Sequence, residues 1–446
     1  MNTSQTCSIE KIPADILLEI IKISIADLNS DELRLPPDAW RAVIRRAPEL
    51  WTTIYGSAPP SQMRAALRFS QNMPLQLYGD DGTNPVPGRA ANLLLAEFHR
   101  MSVFAMYVRQ DDFRSNVSES LLGATCDTSL LESFALWIGG PEEDGGDEEL
   151  DSAALDLFGG KAPPRLAKLA IGGCTLSWGS PAFGNLTSLR IASPNRCGSQ
   201  CFVDALSRMS SLEELFLTRC VPLNFGLDHE DISMAVDFPR LSTLSFDDHM
   251  SLCIALLRRV RFHCLAHLVV IAESCERGGN EEYAYAALFD VCRSHLELYF
   301  FTHPACHLAV ESTLYSMQAA ALSMSDERTG QLEDVLSLSI ALEAPMRGRA
   351  LVDADLLAWS FSMIPGREVR SLQCRLPHHH QLHPRFWTQT VSAAFPRLEG
   401  LFVDEKTLHC VASWARWSRR LRRRGASPRC KRTEYTYLHR NRRSLV

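Results

Sequence analysis

Apolar residues recur along most of this chain in one short pattern: a leucine, two free positions, then two apolar residues separated by one. In PRLAKLAIGGCTL, Leu166, Leu169, Ile171, Cys174 and Leu176 fall on the template LxxLxLxxCxL, and LEELFLTRC repeats it with Leu212, Leu215, Leu217 and Cys220. FPRLSTLSF places Leu241, Leu244 and Phe246, and FPRLEGLFV places Leu398, Leu401 and Val403. Weaker copies are Met101/Phe104/Met106, Leu131/Phe134/Leu136, Leu186/Leu189/Ile191, Leu265/Leu268/Val270, Val335/Leu338/Ile340 and Val369/Leu372/Cys374. The last two apolar residues of each copy are two apart, so they point to one face of a short strand. Stacking such strands in parallel buries that face in a continuous core.

Between the copies lie helix-like segments: CFVDALSRM, SLCIALLRRV, YAYAALFDVC, DADLLAWSFSM and RFWTQTVSAAF. Each can cover the other side of the core. Successive copies start 20 to 35 residues apart, except for the gap from 265 to 335, where Leu296/Tyr299/Phe301 reads as a degenerate copy. The pattern resembles a leucine-rich repeat with irregular spacing. It predicts an α/β body over residues 90–410, a solenoid of short parallel strands with helices on the other face.

Ahead of the repeats, KIPADILLEIIKISIADL (Lys11–Leu28) starts with Pro13, which suits the first turn of a helix. Asp15, Glu19, Lys22 and Ala26 form one narrow stripe at helical spacing, and almost everything else is apolar. A helix apolar over so wide an arc must be covered on more than one side. A second helix is predicted over Asp38–Ala47, where Trp40, Val43, Ile44 and Ala47 share a face. Pro48 ends it, and the β-branched Thr52, Thr53 and Ile54 extend the chain.

IPADILLEIIKISI followed by AWRAVIRRAPELWTTIYG resembles an F-box, and LRFSQNMPLQLYGDD (Leu67–Asp81) is similar to the segment after the box in F-box-like proteins abundant in mushroom-forming fungi. That family commonly carries a leucine-rich-repeat-like body. The resemblance implies a helical module at 1–58, a linker at 59–89, the repeat solenoid, and a tail at 411–446. It further implies a module that docks a Skp-type adaptor, and through it a cullin, while the repeats select a protein substrate for ubiquitination. The adaptor-facing and core positions would be Ile12, Pro13, Ile16, Leu17, Ile20 and Ile21, with Trp40 and Val43 backing them; Trp40, Val43 and Trp51 would be the later characteristic positions of the box. One departure stands out. Where the family usually has a helix with a Val-Cys pair, this chain has NSDELRLPPD, and Pro36 and Pro37 break any helix there. A scaffold whose shortened box serves only as an N-terminal cap is the alternative.

Charge divides the chain. Residues 411–446 hold twelve Lys/Arg and one acid, +11, so the net charge of −6 leaves −17 on the preceding 410 residues. RRLRRR (Arg419–Arg424) reads as a solvated helix end, with a nuclear import signal as the alternative. GGPEEDGGDEELD (Gly139–Asp151) reads as a surface loop. The fourteen cysteines include no CxxC pair, and Asp15, Glu19 and Lys22 interrupt the first apolar stretch, so no signal peptide is read there. Both observations suit reduced thiols in a cytoplasmic or nuclear protein. His378, His379, His380 and His383 cluster between Pro377 and Pro384 without a metalloprotease arrangement and read as a loop. No nucleophile, phosphate-loop or dinucleotide motif occurs, so the expectation is a binding protein, not an enzyme, with no cofactor, metal, membrane or nucleic-acid partner.

Overall fold

The structure is a computed structural model. It describes residues 45–79, 85–118, 121, 127–139, 157–192, 197–225, 235–273, 281–302, 307–312, 316–324, 332–343, 361, 369–375, 390–398 and 400–403. The chain is α/β, with largely parallel sheets and several helices, and divides into two units, Met1–Asn195 and Arg196–Val446.

In the first unit six short strands pair in chain order, all parallel. They are β1 (Thr53–Tyr55), β2 (Leu75–Tyr78), β3 (Met101–Arg109), β4 (Ser133–Gly139), β5 (Lys168–Gly172) and β6 (Ser188–Ala192). A parallel pair needs a crossover, and the first two are helical: α1 (Pro60–Phe69) and α2 (Gly88–Leu95). Both start beside prolines, whose fixed φ suits a helix entry. Met63 and Ala66 of α1, and Ala90, Ala91, Leu94 and Leu95 of α2, are buried. The stretch 59–89, read from sequence as a linker, therefore holds a helix, a strand and the start of a second helix, and parallel pairing begins at Thr53 instead of about residue 90.

The repeat positions stand in register. Phe104, Phe134, Leu169 and Leu189 face each other across β3–β6, and Met106, Leu136, Ile171 and Ile191 do so two residues on. All eight are buried. Phe104 and Phe134 stack at 5.3 Å between ring centroids, and Phe98 and Phe158 meet them edge-on.

In the second unit β7 (Glu214–Thr218), β9 (Thr243–His249), β11 (His267–Glu273) and β14 (Leu332–Glu343) are parallel neighbours. Leu215, Leu244, Leu268 and Leu338 align across them, as do Leu217, Phe246, Val270 and Ile340. Three of the five helix-like segments between copies fold as α3 (Ser199–Ser207), α4 (Met250–Arg259) and α5 (Glu281–Thr302); DADLLAWSFSM lies outside the described residues except for Phe361, and of RFWTQTVSAAF the described part is helical at Ser392–Ala394. A second, two-stranded parallel sheet pairs β8 (Val236–Phe238) with β10 (Val260–Phe262).

Two expectations fail here. Leu296, Tyr299 and Phe301 are no degenerate strand copy: they lie in the last turns of α5. The stacking is also not parallel throughout. β12 (His307–Ser312) and β13 (Ser316–Met324) form an antiparallel pair, and β13 runs antiparallel to β14 as well. Three residues separate β12 from β13 and seven separate β13 from β14, too few for a parallel crossover of a dozen or more. Parallel pairing resumes with β12, β15 (Ser371–Arg375) and β16 (Gly400–Val403).

A second regularity runs through the backbone. The amide of the first apolar residue in a copy donates back to the carbonyl three residues earlier: Met101 to Phe98, Leu131 to Thr128, Leu166 to Pro163, Leu212 to Met209, Leu241 to Phe238 and Leu398 to Phe395. The next residue's carbonyl then accepts two amides from the following copy. Glu132 O takes Ala167 and Lys168, Ala167 O takes Thr187 and Ser188, Glu213 O takes Ser242 and Thr243, and Ser242 O takes Ala266 and His267. In these copies a turn or a carbonyl step precedes the strand, which gives the backbone groups named here their partners at the strand entry.

Candidate functional site

The repeat geometry leaves one face of each sheet outside the core, because strand side chains alternate. In the first unit that face is aromatic on β1–β4. Tyr55 is 55% exposed and pairs in register with Tyr78, 40% exposed, their ring centroids 6.3 Å apart. The Tyr78 hydroxyl donates to Gln76 Oε1 at 3.3 Å. Tyr107 of β3 and Trp137 of β4 are the next outward pair in register, both half-buried.

Glycines let these two rings lie down on the sheet. A Cβ at Gly139 would collide with the Tyr107 hydroxyl and ring, and one at Gly172 with Cε3 and Cζ3 of the Trp137 indole. Small residues continue the floor: Ala135 aligns with Ala170, and Ala170 with Arg190. Arg109, Lys168 and Arg190 are the charged outward residues of β1–β6, and all three are exposed. The second unit's outward face is different in kind. It carries Glu214 and Phe216 on β7, Asp247 on β9, and Val269 and Ile271 on β11.

The turn into β2 is held by a buried cation. Arg100 donates to Ser70 Oγ at 2.7 Å, to the Met73 carbonyl at 3.3 Å and to Glu97 Oε2 at 3.2 Å. In the second unit the buried Asp248 carboxylate accepts the amides of Val221 at 3.2 Å and His249 at 2.8 Å. The Cys253 thiol, in turn, donates to the Asp248 carbonyl at 3.4 Å. Burial drives the Cys253 thiol pKa up, with the Asp248 charge adding to it. Burial raises Cys174 and Cys292 to about 12. These thiols are inert space-fillers at neutral pH, because the thiolate is the nucleophile. Among the described residues, no three His, Cys, Asp or Glu side chains stand together as metal ligands.

Ile12, Pro13, Ile16, Leu17, Ile20, Ile21, Trp40 and Val43 lie outside the described residues, as do His378–His383, the basic tail and all but the first residue of the acidic stretch 139–151. Trp51 is described. It packs on Phe69 of α1 at 5.0 Å between centroids, with the Arg45 guanidinium 5.8 Å from the Phe69 ring. The aromatic and cationic residues of the outward face were not singled out from sequence, although the repeat register contains them. Once LxxLxL is placed, the residue between its last two apolar positions and the one after them face outward.

The class these observations define is an α/β protein of in-register LxxLxL strands whose sheets each turn one face away from the core. Compared with protein-family models, with curated proteins and with solved structures, the chain matches none. Among the described residues, no helix is long and apolar enough to cross a membrane.

Proposed function

We propose that the chain is the substrate-recognition subunit of a Skp–cullin–F-box type ubiquitin ligase. On this reading Ile12, Pro13, Ile16, Leu17, Ile20 and Ile21 face or support a Skp-type adaptor, Trp40 and Val43 back them, and the repeat strands hold a protein substrate. The observation that carries it is the pairing of an F-box-like segment with a body whose strands present outward-facing side chains. Lys11–Leu28 is apolar over too wide an arc for a small module to cover. Downstream, the outward residues of β1–β6 other than the buried Gly172 are half-buried to exposed among the described residues, and they include three tyrosines, a tryptophan and two arginines, side chains that dominate protein interfaces.

Trp51 favours a second reading. It packs on the chain's own Phe69, so this F-box-like residue works as part of a cap on the first unit. A box that only caps would leave a repeat scaffold with no adaptor.

Adaptor capture separates the two. The full chain should retain a purified Skp-type adaptor, and Pro13→Ala combined with Leu17→Ala should abolish retention, since a few central anchors dominate binding. The repeat body should keep its melting temperature. Failure of the unaltered chain to bind, beside an intact F-box protein that binds, selects the scaffold.

A further inference from the structure

We propose that the outward face of β1–β6 docks an extended segment of a partner protein that is apolar at one end and acidic at the other. This names the partner chemistry for the repeat surface and rests on the ligase reading only in taking that partner to be a substrate.

Three observations carry the inference. The first is a built aromatic floor. Gly139 and Gly172, the last residues of β4 and β5, stand where any Cβ would strike Tyr107 or Trp137. Glycine there lets each ring lie over the neighbouring strand, so that the outward face presents aromatic surface. The core does not need it, because both rings lie on the side away from Phe104 and Phe134.

The second is charge. Within β1–β6 no outward residue is Asp or Glu, and the outward charges are Arg109, Lys168 and Arg190. The 410 residues preceding the tail carry a net −17, so an all-cationic face is an exception to its surroundings. Glu132 precedes β4 and Asp111 follows β3, outside the strands. The chain's own tail, at +11, has the wrong sign to occupy this face. A polyphosphate strand is disfavoured as well: it brings one charge per nucleotide to a body of net −17, and nucleic-acid sites are strongly basic domains. A peptide with a few carboxylates matches three cations.

The third is order. The aromatic residues sit on β1–β4, and Lys168 and Arg190 sit on β5 and β6. Six parallel strands at about 4.8 Å spacing give about 24 Å from Tyr55 to Arg190, the reach of about seven extended residues. An occupant crossing the strands therefore meets the rings first, with Arg109 among them on β3, and Lys168 and Arg190 last.

The test uses the purified full chain and a fluorescein-labelled peptide of about ten residues, leucine and phenylalanine in one half and glutamate in the other. The same peptide with lysine for glutamate, and a mixed-sequence single-stranded RNA, are the comparisons. The acidic peptide should bind, and more weakly as salt rises. Lys168→Glu with Arg190→Glu should weaken it at least tenfold, and Trp137→Ala about thirty-fold, the size of a central anchor. Glu214→Lys, in the other unit, should change nothing. The charge-reversed residues are exposed, so that arm stands even where Trp137→Ala unfolds. The inference is overturned by an acidic peptide that does not bind, by equal binding of the lysine peptide, by tighter binding of RNA, or by charge reversal without effect. Adaptor capture run in parallel keeps the two readings apart. A chain that holds adaptor and ignores the peptide loses only this inference, and one that binds peptide without adaptor loses only the ligase reading.

Discussion

Leu244 tests the repeat register most directly. Its side chain is fully buried in β9, level with Leu215 on one side and Leu268 on the other. Leu244→Ala removes three carbon groups at about 0.8 kcal/mol each, roughly 2.4 kcal/mol of transfer free energy. Neighbours on both strands keep the gap from closing fully, and the cavity term brings the expected loss to about 3.5 kcal/mol. For a unit of this size that corresponds to a fall of about 10 °C in melting temperature. Ser245, the next residue, points to the opposite face and is half-buried, so Ser245→Ala should stay within about 0.5 kcal/mol. Both are measured by urea titration of the full chain, with unchanged m-value as the check that the native state is the same. Leu244→Asp, like Leu215→Asp, puts an unpaired carboxylate in the same place and should leave the second unit unfolded, since that cost adds several kcal/mol to a marginal total. A Leu244→Ala loss under about 1 kcal/mol, or a Ser245→Ala loss as large, would refute the assignment of inner and outer positions.

Three further outcomes rest on particular contacts. Gly173 has φ +74° and its added Cβ would strike the Ile138 carbonyl, so Gly173→Ala should cost about 2 kcal/mol or more; a denaturation midpoint equal to wild type contradicts this. His295 stacks on Phe262 at 4.5 Å, its Nε2 lies 2.7 Å from the Leu257 carbonyl, and burial lowers its pKa below the ordinary 6.5. The fold thus favours the neutral ring. The resulting stability is present above pH 6.5 and is lost as pH falls below it, so His295→Phe should flatten the stability profile between about pH 7.5 and 5, and an unchanged slope counts against the buried neutral ring. Cys201 is exposed whereas Cys174, Cys220, Cys253, Cys292 and Cys374 are buried. Maleimide should label Cys201 in the native protein and those five only after denaturation, and native labelling of Cys292, which burial holds at about 12, would place α5 wrongly.

Much of the sheet was legible in the sequence because LxxLxL is a local signal: period-two burial shows in two residues, and the leading leucine marks the turn before them. Phe104, Leu169, Leu244 and their partners were placed inside on that ground, and they are buried. Three helices between copies were legible for a similar reason. β1 overlaps the β-branched stretch Thr52–Ile54 read as extended, whereas β2 was not read as a strand, since four residues give too little periodicity to distinguish from a linker. The copy read at Leu296 failed because the preceding Tyr283–Cys292 run forms a helix that continues through it, overriding the local spacing.

The sequence by itself determined which side chains face the core, through hydrophobic alternation that any parallel neighbour would satisfy. Only the tertiary structure decided what lies beside what. The reversal at β12–β14 depends on short connections competing with crossovers. The seating of Tyr107 on Gly139 and Trp137 on Gly172 joins residues more than thirty positions apart. The gathering of Lys168 and Arg190 beside them likewise comes from strand register, and no single copy of the repeat contains it.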